Sequence, residues 1–193
     1  MLNVLIIGAG GIGSYLCQQL DQLRHQWTGK AKFSIIDFDQ VEEKNCKYQN
    51  YEDTEILDFK VDALSARYKG FKGINAKVKS DTDLKGYDLI MLAVDNNQVR
   101  CLAAKYCFKN DIPFLDMRSE GKTVMFMSWL TDQKEYWQFT EDDNGEGASC
   151  QIKADLEKGI VQNGNKIIAA IGAQQFLNVL RKESVLKFFV HKF

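Results

Sequence analysis

The stretch Val4-Leu5-Ile6-Ile7-Gly8-Ala9-Gly10-Gly11-Ile12-Gly13-Ser14 decides the fold of this 193-residue chain. Its apolar, mostly β-branched start reads as a buried strand. Tyr15, Leu16 and Leu20 then set up a helical spacing. At the joint stand Gly8, Gly10 and Gly13, a G-x-G-x-x-G pattern with Gly11 beside the middle glycine. Gly8 permits a sharp turn, Gly10 lets backbone approach a phosphate, and Gly13 lets helix and strand pack closely. The helix start then offers free N–H groups and a positive dipole end to an anion. A strand, tight turn and helix of this kind imply a bound nucleotide.

The composition narrows the setting. With 193 residues and one proline, one compact domain over 1–193 is expected. The formal charge of −1 gives no global field toward nucleic acid or an anionic membrane, and neither is expected as a partner. No apolar run approaches the roughly 18 residues of a membrane span, and the chain opens on a strand rather than a signal peptide. Five cysteines without any C-x-x-C pair suit a reducing cytoplasm, and argue against a disulfide framework or structural zinc. No repeat or low-complexity linker interrupts the chain.

Outward from the glycines, a first helix runs to about Trp27–Gly29, and Lys32 to Asp37 reads as a second parallel strand. Asp37 lies at its carboxyl end, near the spacing of about 20 residues for a carboxylate on a ribose hydroxyl. A long polar insertion, Asp37 to Gln49, comes next; such insertions beside a nucleotide crevice are usually functional. The spacing of Ile56, Phe59, Val61, Leu64 and Tyr68 predicts a helix carrying Lys60. Val78 is expected in a third strand, and Asp88 to Val94 is a continuous apolar run, the mark of a buried parallel strand, ending in Asp95-Asn96. Arg100 opens a helix that stops before Asp111. Ile112 to Asp116 and Lys122 to Leu130 are the next strands, and Thr131 to Ala148 reads as a solvated polar loop. Asn165 to Leu180 reads as a buried helix, with Gly172 for close approach to the sheet, and Val185 to Phe193 as a final strand.

These residues carry a resemblance. The pattern Asp37-x-Asp39-x-Val41, then Asn45, Gln49 and Lys60, then Asp95-Asn96 with Arg100 behind, is similar to the ThiF/MoeB type of the ubiquitin-activating-enzyme superfamily. Ser149-Cys150 followed by Asn165-x-x-Ile168-Ala169 resembles its PRTRC-system ThiF subgroup, which points to a mobile-element origin. The resemblance covers roughly residues 2 to 181. It implies a doubly wound, Rossmann-like α/β fold whose parallel sheet is extended by antiparallel C-terminal strands. It also implies an ATP- and Mg²⁺-dependent adenylyltransferase, a homodimer, acting on the C-terminal glycine carboxylate of a ubiquitin-like or sulfur-carrier protein.

Carried over residue by residue, Gly8, Gly10, Gly11 and Gly13 cradle phosphate and Asp37 anchors the ribose. Asp39 belongs to the same site, Asn45 and Gln49 bind phosphate or order the loop, and Lys60 neutralises phosphate charge. Asp95 holds Mg²⁺. Cys150 is either the thiol nucleophile that receives the acyl group or a small packing residue at a loop–helix junction. Tyr48 stands where the family carries an arginine on phosphate, with Lys47 beside it as a substitute. The sequence also opens on its first strand, without the helix whose arginine reaches the partner's site in the family. Arg24, Arg118 or a partner protein is the expected replacement. These two departures keep open a nucleotide-binding scaffold without catalysis. An NAD-dependent oxidoreductase, and modification of a small peptide, are the other readings of the same pocket.

Overall fold

The computed structural model describes residues 1–140 and 163–193. Seven strands form one sheet: β1 (Leu2–Ile7), β2 (Ala31–Asp37), β3 (Phe71–Asn75), β4 (Leu89–Leu92), β5 (Phe114–Glu120), β6 (Thr123–Ser128) and β7 (Phe188–Lys192). Their spatial order is β3-β2-β1-β4-β5-β6-β7. The first five in that row run parallel, while β6 is antiparallel to both β5 and β7. The chain is therefore a Rossmann-like α/β unit whose parallel core is extended by antiparallel strands.

Both faces of the parallel core are covered. Val4 and Ile6 of β1 face one layer and Leu5 and Ile7 the other, the alternation that a strand imposes. On the first face pack α1 (Gly11–Gln22), the short α2 (Arg24–Trp27), α3 (Lys60–Arg67) and α6 (Gly164–Arg181), through Leu16, Leu20, Trp27, Leu64 and Phe176. On the second lie α4 (Asn97–Asn110) and α5 (Gln133–Gln138), through Ala103, Ala104 and Tyr136. Gly172 of α6 faces Met117 of β5 so closely that a side chain there would overlap the methionine sulfur.

The crevice follows from strand order. From β1 the chain moves outward to β2 and β3, then returns to place β4 on the other flank of β1. The loops after β1 and β4 thus diverge at the carboxyl ends of adjacent parallel strands, which is where open α/β sheets bind ligands. Gly8 turns there with φ +98°, and a Cβ on it would lie 2.7 Å from the Ala93 carbonyl oxygen. Gly13 is tighter still, because its Cβ would overlap the Gly8 carbonyl. Gly13→Ala is therefore expected to push α1 off β1 and cost about 1–3 kcal/mol. Thermal unfolding against Gly10→Ala checks this, since a Cβ at Gly10 meets nothing within 4 Å.

Four local expectations need correction. The helix carrying Lys60 begins at Lys60, not Ile56. Leu57 takes a left-handed φ of 77°, and its N–H donates to the Val41 carbonyl at 3.0 Å. The segment is thus pinned back on the insertion before helix can start. Val78 lies beyond the end of β3 at Asn75. The first helix is divided at Leu23 into α1 and α2. The polar stretch after Thr131 contains α5, started by Asp132, whose carboxylate accepts from the Lys134 and Glu135 N–H groups. Cys150 and Ser149 lie outside the described residues.

Candidate functional site

A cavity of about 420 Å³ opens at the carboxyl ends of β1, β2 and β4. The glycine loop forms one wall through Gly8, Gly10 and Gly11; Gly13 lies behind it, at the packing joint. Asp37 ends β2 at its edge. One carboxylate oxygen accepts the Ala9 N–H at 2.7 Å and the other the Asp39 N–H at 2.8 Å. Burial raises the Asp37 carboxyl above its usual range, and those two N–H groups together with Lys60 oppose the rise. The carboxylate therefore braces the glycine loop while still facing the cavity.

Lys60 is 6% exposed although charged, and the first turn of α3 aims it inward. Its Nζ lies 3.2 Å from an Asp39 carboxylate oxygen, and the Lys60 N–H donates to the Asp39 carbonyl at 2.9 Å. Insertion and helix are thus stapled at one pair. Gln49 brings a buried acceptor, Oε1, that has no partner among the described residues. Such an atom needs a donor, and a ligand hydroxyl or amine entering the cavity supplies one. Asn45 does not line the cavity. Its Oδ1 accepts the Glu42 N–H at 2.9 Å and its carbonyl accepts the Gln49 N–H at 2.7 Å, so it orders the loop that presents Gln49.

The opposite wall comes from β4. Asp95 is exposed and lines the cavity, and Asn96 beside it caps α4 by accepting the Gln98 and Val99 N–H groups at 2.8 and 3.1 Å. Arg100 holds the same turn through the Val94 carbonyl and Asn97 Oδ1. Asp95 is the one carboxylate there, and no cluster of three metal-binding side chains occurs among the described residues. Mg²⁺ fits that donor set, because it binds through one or two carboxylates plus substrate phosphates and keeps its waters.

Several lining residues had no local signal in the sequence. Lys77 and Lys79 follow β3 and face the cavity, with the Lys77 ammonium 4.0 Å from the centre of the Phe38 ring. Tyr48 lines the wall as well, whereas Lys47 is exposed and does not. Lys77 and Lys79 thus bring positive charge to the cavity that Tyr48 also lines. Tyr51 donates to the Ala9 carbonyl at 2.6 Å and ties the insertion to the glycine loop.

Outside the cavity lining, Asp116 of β5 is 0% exposed. It accepts from Arg100 Nε at 3.0 Å, Arg118 Nη2 at 2.7 Å and the Tyr136 hydroxyl at 2.9 Å. Burial would raise its carboxyl, but the Arg118 and Arg100 guanidiniums outweigh burial and hold it below the usual range. Arg118 is committed here, donating also to Thr140 Oγ1 and the Phe139 carbonyl. Cys17 and Cys107 are buried thiols pushed up by desolvation, Cys107 to about 12, and are inert packing.

Among the described residues no helix is long and apolar enough to cross a membrane. The model of the ThiF family matches residues 1–192. No curated protein matches the chain. Among solved structures, PaaA superposes with a TM-score of 0.71 at 17% identity, over 100% of this chain and 61% of its own. Escherichia coli MccB solved with AMPCPP and MccA gives 0.69 at 16% identity, over 99% and 63%. The same enzyme solved with ATP gives 0.66 at 17%, over 99% and 63%. The chain thus spans about three fifths of the length of these structures.

Proposed function

From the premise that the chain belongs to the ThiF family, we propose that it is an ATP-dependent adenylyltransferase. Its substrate is the C-terminal carboxylate of a ubiquitin-like or sulfur-carrier protein. One observation carries the reading: a single cavity at the β1/β4 divergence is lined by Gly10, Gly11, Asp37, Lys60 and Asp95. In the reaction a carboxylate oxygen of the acyl substrate attacks the α-phosphorus of ATP. The bond to the bridging oxygen breaks, pyrophosphate leaves, and an acyl-adenylate remains. The attacking group is already ionised at neutral pH, so no general base is required. The demand is electrostatic: two anions must meet, and charge accumulates on the phosphates.

The chain's residues answer that demand separately. Backbone N–H groups at the start of α1 take phosphate oxygens, and Asp37 accepts a ribose hydroxyl. Lys60 exchanges its Asp39 contact for phosphate, and Lys77 and Lys79 add positive charge in place of the family arginine. Asp95 would hold Mg²⁺, which neutralises phosphate charge when bound. A homodimer and transfer of the acyl group to Cys150, with release of AMP, complete the proposal. A peptide in place of a carrier protein is a second reading, favoured by the fold neighbour MccB having been solved with MccA.

ATP–pyrophosphate exchange tests this, with candidate Gly-Gly carrier proteins from the same genome. Carrier-dependent exchange supports adenylation, and thioester formation lost in Cys150→Ala then tests the transfer. ATP binding without exchange favours the scaffold. NADH bound in preference to ATP, by calorimetry, returns the chain to the oxidoreductase reading.

A further inference from the structure

The helices α1 and α6 lie side by side and run parallel. Asn165, in the first turn of α6, packs against Gly11, the first residue of α1. At the other end Arg181 donates to Gln26 just beyond α1. Both N-termini therefore converge at the carboxyl ends of the parallel strands. Neither has a side-chain cap. Two positive dipole ends thus meet there, with no acidic residue in the first turn of either helix.

Beside them sit buried polar atoms that have no partner among the described residues. Asn165 is 1% exposed, and both its Nδ2 and Oδ1 are buried and unbonded. Ser119, 6% exposed on β5, has an equally unpartnered hydroxyl against Gly164. Glu120, the neighbour of Ser119, alternates to the other face of the strand. Buried amides and hydroxyls in native proteins are nearly always bonded, and each orphan calls for an explanation. Gly11 joins this spot to the nucleotide cavity, which it also lines.

We propose that the paired N-termini of α1 and α6, with Asn165 and Ser119 beside them, bind the last peptide unit and the free carboxylate of the acyl substrate. This inference rests on the adenylation reading. The chemistry of the orphans selects the ligand. The uncapped N–H groups, Asn165 Nδ2 and the Ser119 hydroxyl donate to carboxylate oxygens. Asn165 Oδ1 accepts the N–H of the terminal residue, which a peptide end has and a simple carboxylic acid lacks. The carboxylate then lies beside Gly11, where the α1 N–H groups receive phosphate, so nucleophile and electrophile share one helix terminus.

The probe is N-acetylglycylglycine, added to ¹⁵N-labelled protein saturated with AMPCPP and Mg²⁺; N-acetylglycylglycinamide is the uncharged control. The acid is expected to produce saturable NMR shifts at the Gly164 and Asn165 backbone amides and the Asn165 side-chain NH₂, and the amide none. Asn165→Asp keeps the shape but repels the carboxylate, and is expected to weaken the acid about tenfold. Ser119→Ala, which adds no charge, weakens it several-fold and keeps the AMPCPP-induced shifts at Gly10 and Gly11. Shifts confined to residues 10–13, equal response to acid and amide, or undiminished binding in both variants would overturn the site. Absence of AMPCPP shifts at Gly10 and Gly11 in the unaltered protein would overturn the adenylation reading, and the carboxylate site with it.

Discussion

Asp95→Ala is expected to lower ATP–pyrophosphate exchange about 100- to 1,000-fold while leaving the unfolding midpoint unchanged. The separation follows from where the residue sits. Asp95 is exposed and makes no hydrogen bond or ion pair among the described residues, so its loss removes nothing from the fold. The turn that presents it is held by its neighbours, Asn96 capping α4 and Arg100 bonding the Val94 carbonyl. Asp95→Asn keeps the size and removes the charge, and should fall nearly as far if divalent-ion binding is the residue's task. Initial exchange rates over a Mg²⁺ titration, with thermal unfolding alongside, make the measurement. Exchange surviving in both variants would sink the proposed role.

The largest effect on stability is expected at Asp116. Removing its carboxylate strands two guanidiniums, one almost fully buried, and breaking a buried pair typically costs about 3–5 kcal/mol. Against a total of about 5–15 kcal/mol for a domain, Asp116→Ala should sit near the edge of folding. Urea unfolding at neutral pH reads the loss, and a change under about 1 kcal/mol would show that Arg100 and Arg118 find other partners. The pH dependence has a definite sign. The folded-state carboxyl is held below its unfolded value of about 3.9, so its contribution is complete above that pH. It drains away as pH falls through the lower folded value. Unfolding of the unaltered protein should steepen in that acid window, and Asp116→Ala should lack this component.

The readable parts of this chain are those where local pattern and final environment agree. Val4 to Ile7 and Leu89 to Leu92 are buried on both faces, so continuous apolar runs were a faithful signal of parallel strands. The glycine turn was legible because its backbone geometry admits few residue types. Ile56 and Phe59 misled, since their spacing suits a helix while long-range backbone pairing of Leu57 with Val41 forbids one there. The short α5 did leave a trace, Asp132 three residues before Glu135, a helix-start pattern hidden in a stretch read as solvated loop. Lys77, Lys79 and Tyr51 had no such trace. They reach the cavity or the glycine loop from segments far from it in sequence, and only the fold brings them together. The same holds for Asn165, which belongs to the glycine loop by contact alone.

The central place of β1 also bears on how the molecule is made. Strand β1 is synthesised before both of its neighbours, β2 on one side and β4 on the other. Synthesis must therefore pass Leu92 before the strand is enclosed. Until then the Leu5 and Ile7 face stands open and one whole edge offers unpaired N–H and C=O groups, the condition in which nascent chains aggregate or recruit chaperones. The late return of β4 that opens a crevice in the finished protein is, during translation, an interval of exposure.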